Sequence, residues 1–384
     1  MNLIAETADA HPGTATTQSL RVRSHPVRVV TESPAAQALL AETFYPAGMQ
    51  GVSLDAATSE EPLVTIVDLV RSPAEIADLI AAAAATMTAA EYELTRDYRQ
   101  PRYDDGERTV FVLDDEQSGE VGALIRTGRR AVLVRLEGRW GDRWLTRVVR
   151  ELATRFASAQ GSLILHASAL VHRGHGYLVI GDSGAGKSTT SIALARLLPS
   201  AGWMGNDRMH ADRVDGTYRL TACPLPLGVN KGTLDLIGAT GFDSWDVRAG
   251  IPGPETDWDR FQGEDKLKLS CNEVARYLQV AVIPEAPIGG IILPRVNRAA
   301  GYHCEPADLD YAAEVIERNC FSVDEKLYGD DWLRVPVPEA ERPPSIREFL
   351  EDVARLPLLR CSVGNADHLS LLANDLQAAV KLAG

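Results

Sequence analysis

A glycine-rich segment near the middle of the chain has the residue types and spacing of a phosphate-binding loop (P-loop). It fits the pattern G-x-x-x-x-G-K-[ST] with Gly181, Asp182, Ser183, Gly184, Ala185, Gly186, Lys187 and Ser188. Glycines allow the loop to turn its backbone amides inward as an anion-binding nest. We expect Lys187 to reach the β- and γ-phosphates, Ser188 to supply a hydroxyl to Mg²⁺, and the adjoining Thr189 to belong to the same site. Because the motif contacts phosphates and not bases, it predicts ATP or GTP binding without choosing between them.

The residues on either side of the motif form the two elements that a P-loop joins. Tyr177–Ile180 is an apolar run typical of a strand, and the pattern of Ile192, Leu194 and Leu198 after the loop is helical. The start of that helix adds the positive end of its dipole to the anion site. The alternative is a glycine-rich turn with an incidental lysine. A strand–loop–helix frame favours the phosphate site.

An acidic residue ends the next apolar run of the chain. The run is Trp203–Gly205, followed by Asn206 and Asp207. If it forms the strand beside the P-loop strand, Asp207 faces the metal and the γ-phosphate. An ordinary turn aspartate is the alternative. Asn206 can hydrogen-bond in the same site but cannot act as a base.

Four further polar residues are weighed for the same site. His166 lies in the apolar run Leu163–His172, where a lone histidine is more often a hydrogen-bonded core residue than a functional one. Arg295 directly follows the apolar stretch of a late strand and is a candidate phosphate contact. Lys266 and Lys268 lie in a charged segment, where solvated side chains are the default expectation.

Between Leu163 and Met209 the chain resembles the catalytic core of the HPr kinase/phosphorylase family. The resemblance consists of a histidine before the P-loop (His166), a loop of the form GDSGxGKS, and a following strand that ends in Asn206-Asp207, where the family has two acids. It implies a fold like that of the phosphoenolpyruvate carboxykinases and transfer of the ATP γ-phosphate to a protein serine. It also implies that Asp207 deprotonates the serine and that His166 supports this step, with Lys187 at the phosphates.

The chain departs from the family pattern at Asn206 and at Thr189, where the bacterial HPr enzymes usually have acids. The later signature loop linked to phosphorolysis has no convincing copy. The chain is therefore more similar to the divergent HPr-kinase-related proteins of biosynthetic clusters, some of which resemble kinases that phosphorylate a serine of lasso-type peptide precursors. The family resemblance also implies a possible homo-oligomer.

These observations predict a kinase that transfers a phosphoryl group to a hydroxyl. A serine of a peptide or protein is the first choice of acceptor, and a small-molecule hydroxyl of a natural product is the alternative. A nucleotide-dependent switch or NTPase without a phosphorylated product belongs to a different class of function, which a P-loop alone also permits. A decarboxylating carboxykinase is disfavoured because its additional metal ligands have no counterpart here.

The rest of the sequence predicts an α/β chain, α+β overall, with two domains. Residues 1–24 are expected to form a flexible tail, residues 25–160 an N-terminal α+β domain, and residues 161–384 the P-loop domain. The N-terminal domain is expected to hold a strand at 64–70, a helix with a capping box from Ser72, and further strands at 92–98, 109–114, 122–128 and 131–138. We interpret these as a small antiparallel sheet with one helix, a possible docking edge for a leader peptide.

Composition excludes several other classes of function. The net charge of −14 argues against nonspecific nucleic-acid binding, which needs a basic face. No apolar stretch is long enough to span a bilayer, and the N-terminus lacks the pattern of a signal peptide. The five cysteines form no C-x-x-C pair, which disfavours a zinc site. We therefore expect a cytoplasmic protein with reduced thiols and no nucleic-acid or membrane partner.

Overall fold

The fold is mixed α/β, with several sheets and with helices packed against them. The computed structural model describes residues 3–10, 15–46, 48–54, 60–95, 98–114, 119–242, 245, 266–323 and 342–383. Apart from short segments, contacts within the chain separate a first unit, up to Ala159, from a second unit, which begins at Gln160. The division falls one residue before the predicted domain boundary.

The first unit is built on one mixed sheet. Its strands are β1 (Thr16–Val22), β2 (His25–Thr31), β3 (Val52–Ser53), β4 (Val64–Val70), β5 (Thr88–Thr95), β6 (Tyr98–Asp104), β7 (Arg108–Asp114), β8 (Val121–Thr127) and β9 (Arg130–Arg135). Among the described residues the sheet has nine strands in the order β3-β1-β2-β4-β9-β8-β7-β6-β5. β4 runs parallel to both β2 and β9, and the remaining pairs are antiparallel.

Helices cover this sheet because their apolar faces match its apolar side chains. They are α1 (Leu3–Ala8), α2 (Pro34–Thr43), α3 (Pro73–Thr86) and α4 (Arg139–Ala159). Ile4 of α1 and Ile76 of α3 are buried in one core cluster with strand residues such as Val67 and Ile125. The predicted capping box of α3 is confirmed, since the Ser72 side chain accepts from the Glu75 amide and the Glu75 side chain accepts from the Ser72 amide.

Two predictions for the N-terminal part are wrong. Residues 1–24 are not simply a flexible tail, because α1 lies in the core and β1 pairs along its whole length with β2. Leu20 and Val22 are fully buried on one face of β1. The polar residues around them hide this alternation of buried and exposed positions in the sequence. The sheet is also larger than predicted and partly parallel. The predicted strand 92–98 is divided between β5 and β6, and residues 96–97 lie outside the described residues.

A buried ionic network lies where β4 and β9 end. The Arg135 guanidinium is fully buried and donates from Nε and Nη2 to the Asp68 carboxylate at 2.6 and 2.8 Å, and from Nη1 to Asp142 at 2.8 Å. Thr31 Oγ1 also donates to Asp68, at 2.6 Å. The positive charge of Arg135 is therefore compensated by two carboxylates, of which Asp68 is fully buried and Asp142 is 11% exposed.

We expect Asp68→Ala to destabilise the protein by about 3–5 kcal/mol, because it leaves the buried Arg135 charge only partly compensated. The free energy of unfolding from urea denaturation measures the effect. Glu91→Ala is the control, because Glu91 forms an exposed ion pair with Arg99 in the same sheet, and we expect a cost below about 1 kcal/mol. Equal stabilities of the two variants would show that the buried network contributes little.

Among the described residues, the second unit contains two sheets. Its strands are β10 (Leu163–Leu165), β11 (Ala167–His172), β12 (His175–Ile180), β13 (Gly202–Gly205), β14 (Met209–Val214), β15 (Thr217–Ala222), β16 (Leu227–Val229), β17 (Leu267–Leu269), β18 (Ala281–Val282), β19 (Glu285–Val296), β20 (His303–Pro306) and β21 (Leu358–Val363). In the described residues the larger sheet follows the order β10-β14-β15-β19-β12-β11-β13-β18, with β21 beside β19 and β20 beside β21. β16 and β17 pair with each other.

Three parallel strands, β12, β19 and β21, lie side by side in this sheet, and β13 runs in the same direction. Their carboxyl ends therefore meet at one edge, where ligands of open α/β sheets usually bind. The helices of the unit are α5 (Lys187–Leu197), α6 (Lys231–Leu236), α7 (Cys271–Leu278), α8 (Leu309–Arg318), α9 (Ile346–Asp352) and α10 (Ala366–Ala383). In the described part of the chain, no helix combines the length and apolar character needed to cross a bilayer.

Candidate nucleotide and phosphoryl-transfer site

The predicted P-loop connects the carboxyl end of β12 to the amino end of α5. Gly184 and Gly186 have φ angles of +78° and +91°, which are unfavourable for residues with a Cβ atom. The Ala185 carbonyl accepts from the Val296 amide at 3.0 Å, and the Ala185 amide donates to the Asp182 carbonyl at the same distance. The end of β19 thus holds the loop, so its conformation depends on a neighbouring strand as well as on its own glycines.

Lys187 turns its side chain back into the loop. Its Nζ donates to the Gly181 carbonyl at 2.7 Å and to the Asp182 carbonyl at 3.3 Å. Burial lowers the pKa of Lys187, while the carboxylates of Asp207 and Asp182 act in the opposite direction. The ammonium group is therefore held at the loop by neutral carbonyl acceptors, which an anionic phosphate oxygen can replace.

Ser188 and Asn206 bring the start of α5 to the end of β13. The Ser188 hydroxyl donates to Asn206 Oδ1. The prediction that this acidic segment ends the strand beside the P-loop strand is wrong, because β11 lies between β12 and β13 and is antiparallel to both. The segment still reaches the site, since α5 packs across β11 and β13.

Asp207 occupies a tight turn directly after β13. Its φ angle is +67°, and the Arg208 amide donates to the Asn206 carbonyl at 2.8 Å across it. Left-handed backbone is uncommon for residues other than glycine, and aspartate and asparagine tolerate it best. The carboxylate is 54% exposed and lies 3.4 Å from the Nε2 atom of His166. The turn thus presents one carboxylate to solvent beside the imidazole.

His166 lies at the break between β10 and β11 and not within one continuous strand. Its side chain is 28% exposed and stacks on the Phe321 ring at a centroid distance of 5.6 Å. The hydrogen bond from His166 is the main cause that holds the pKa of Asp207 below its usual range. His166 therefore contacts Asp207, unlike the core histidine that its apolar neighbours would suggest.

Arg295 lies at the carboxyl end of β19, beside the P-loop. It is exposed and lines a cleft of 430 Å³ together with Asp182, Ala185, Tyr311 and Arg318. The structure therefore places Arg295 next to the loop. Thr189 has a different environment, because it is 8% exposed and shares a hydrogen bond of 2.8 Å with the Thr233 hydroxyl.

Sequence reasoning missed three residues around this site. Arg318 and Asn319, at the end of α8, both donate to the Asp182 carboxylate, and Arg318 is the main cause of the lowered pKa of Asp182. Lys266, assigned to a solvated segment, lies close enough to Lys187 to contribute to the lowering of its pKa. No local motif marks these residues, because they are distant in sequence from the P-loop.

Substitutions at two loop glycines separate backbone strain from steric conflict. A Cβ atom at Gly186 would lie 2.2 Å from Val296 Cγ2, whereas one at Gly184 would meet nothing within 4 Å. Both positions have left-handed backbone, so alanine costs about 1–2 kcal/mol at either. We expect Gly186→Ala to weaken nucleotide binding about tenfold more than Gly184→Ala in calorimetric titrations, with thermal unfolding recorded for each variant. Equal losses would show that contact with Val296 does not shape the loop.

Similarity of this chain to known proteins is low. No family model matches the chain, and no curated protein matches it. Among solved structures, the Hpr(Ser) kinase/phosphatase from Coxiella burnetii matches with 12% sequence identity and a TM-score of 0.25, covering 58% of this chain and 99% of that chain.

Proposed function

We propose that the chain is a kinase that transfers the γ-phosphoryl group of ATP or GTP to a hydroxyl, with a peptide or protein serine as the preferred acceptor. The observation that supports this most directly is the arrangement at one sheet edge. Lys187 lies in the concave face of a P-loop, and the solvent-exposed carboxylate of Asp207 lies near enough to affect its pKa. The Nε2 atom of His166 lies 3.4 Å from the same carboxylate.

The residues at this edge suit a nucleotide bound with Mg²⁺. The loop amides and Lys187 are positioned for phosphate oxygens. Ser188, Asn206 and Asp207 supply a hydroxyl, an amide carbonyl and a carboxylate, and Mg²⁺ prefers such hard oxygen ligands. When bound, Mg²⁺ would neutralise charge on the β- and γ-phosphates. We assign Ser188 and Asp207 as its protein ligands, with Asn206 holding the Ser188 hydroxyl in place.

In the proposed reaction the acceptor oxygen attacks the γ-phosphorus, and the bond from this phosphorus to the β–γ bridging oxygen breaks. The nucleoside diphosphate leaves with the electrons of that bond, and the acceptor proton passes to the Asp207 carboxylate. Lys187 stabilises negative charge as it shifts toward the leaving phosphates. His166 orients Asp207, and the exposure of Asp207 lets the proton leave to water afterwards.

The exposure of Asp207 also bears on the type of acceptor. A carboxylate that is 54% exposed at a turn is accessible to a hydroxyl carried on a large molecule. An enclosed pocket around it would instead favour a small-molecule alcohol, which remains the second candidate. For peptide recognition we propose the edge strand β5 of the first unit, which pairs only with β6 in the described part of the chain.

A nucleotide switch is the competing class of function. The observation that favours it is Asn206, a neutral residue hydrogen-bonded to Ser188 where a second acid would strengthen metal binding. Such a switch would hydrolyse or bind the nucleotide without a phosphorylated product. It would need the P-loop and Lys187 but not a base accessible to an acceptor.

The experiment that tests the proposal is a transfer assay with γ-³²P-labelled ATP and Mg²⁺, using the purified protein and peptides encoded by neighbouring genes. Label on a peptide serine supports the proposed function, and label on a small molecule retains the chemistry but changes the acceptor class. Free phosphate alone, with every acceptor tried, contradicts a kinase and favours the switch.

A further inference from the structure

Asn319 connects the P-loop to His166. It directly follows α8, and its side chain is almost completely buried, with the residue 5% exposed. Nδ2 donates to Asp182 Oδ1 at 3.2 Å and to the Val315 carbonyl at 2.8 Å, so both amide hydrogens have acceptors. The Asn319 carbonyl accepts from the His166 amide at 2.7 Å.

On the P-loop side, the link continues to the lysine. The Asp182 carboxylate accepts a hydrogen bond from Asn319, and the Asp182 backbone carbonyl accepts one from Lys187 Nζ. Arg318 contacts the same carboxylate at 3.4 Å, but its side chain is 53% exposed, so solvent weakens that ion pair. The Asp182 carboxylate is itself 63% exposed, so the two restraints differ in their donors, and only the Asn319 amide is buried.

On the histidine side, the three residues after Asn319 contact His166 and the two residues before it. Cys320 forms a β-bridge with Leu165, and the Phe321 ring stacks on the imidazole at an interplanar angle of 18°. The Ser322 hydroxyl accepts from the Ile164 amide at 2.7 Å. The position of His166 is thus determined by the same segment that contacts the P-loop through Asn319.

We propose that Asn319 is a positioning residue that sets the spacing between the P-loop and the His166–Asp207 pair. The inference rests on the proposed function. Asparagine suits the position because it donates to a carboxylate and to a carbonyl at once, and aspartate in its place would set two carboxylates against each other. A shift of the P-loop relative to His166 would misalign the γ-phosphate and the acceptor, and errors of about 1 Å can cost 100-fold in rate.

The test is steady-state phosphoryl transfer by Asn319→Ala, Arg318→Ala and wild type, with kcat and the nucleotide KM determined separately. We expect Asn319→Ala to lower kcat about 10- to 100-fold. Arg318→Ala is the comparison variant, because Arg318 lines the same cleft and makes the more exposed contact to this carboxylate, and we expect it to raise the nucleotide KM and to lower kcat less than about threefold. Arg347→Ala is the control, because it breaks only an exposed ion pair with Asp310 of α8, and we expect its kcat to equal that of wild type.

A double-mutant cycle with Asp182→Ala tests the route of the effect. If Asn319 acts through Asp182, the kcat of the double variant is no lower than that of the more impaired single variant. Additive losses of kcat would overturn the proposal. A kcat within twofold of wild type for Asn319→Ala would overturn it too. Should that variant unfold, the isosteric Asn319→Asp replaces it with the same expectation. Absence of any labelled product from the wild type would instead refute the proposed function.

Discussion

Lys187→Ala is expected to abolish phosphoryl transfer, with kcat/KM reduced about 1,000-fold or more. The buried ammonium group, held by the Gly181 and Asp182 carbonyls, is the cation placed inside the P-loop. Alanine removes the charge that would balance the leaving phosphates, and Lys187 is only 9% exposed, so bulk water screens the uncompensated phosphate charge poorly there. Initial rates of ³²P transfer and the nucleotide dissociation constant measure the effect.

The matched control is Lys268→Ala, which removes an exposed lysine of β17 from the same unit. We expect its kcat/KM to stay within about twofold of wild type, because solvent and salt screen an exposed charge. Substantial transfer by Lys187→Ala would mean that the loop does not hold the reacting phosphates. Lys266→Ala is a useful third variant, since Lys266 lies within electrostatic reach of Lys187, and an intermediate loss would place it in the site.

The parts of the site that could be predicted are those encoded locally. The P-loop follows from eight consecutive residues between an apolar strand and a helix, and the structure has β12 and α5 on either side of it. The capping box of α3 and the strand β4 depend on similarly short patterns. Each of these signals involves hydrogen bonds or backbone conformations within a few residues, so neighbouring sequence is sufficient.

The remaining features depend on contacts between distant parts of the chain. The position of β11 between β12 and β13 is a feature of the strand order in the sheet, and the hydrophobic periodicity within each strand does not encode that order. The hydrogen bond from Asn319 to Asp182 joins residues separated by 137 positions. One missed element did carry a local signal. Asp215-Gly216 is a strong two-residue hairpin turn, and it joins β14 to β15.

Asp207→Asn is expected to retain nucleotide binding within about threefold and to lose transfer by about 100- to 10,000-fold, the usual contribution of a positioned base. Asparagine has the same size and tolerates the left-handed backbone of +67° at this turn, so the fold should be preserved. What the variant lacks is the negative charge that accepts the proton. Nucleotide affinity and ³²P transfer are measured on the same samples.

Asp215→Asn is the control for this substitution, because Asp215 is also an aspartate in a turn with positive φ, at +51°, but lies in the exposed β14–β15 hairpin. We expect transfer by this variant to equal that of wild type. Titration with Mg²⁺ then separates the two roles assigned to Asp207. Recovery of transfer by Asp207→Asn at high Mg²⁺ would make the carboxylate chiefly a metal ligand, whereas a loss that Mg²⁺ does not reverse identifies it as the proton acceptor. Normal transfer at ordinary Mg²⁺ would exclude both roles and leave the turn beside His166 without a part in the reaction.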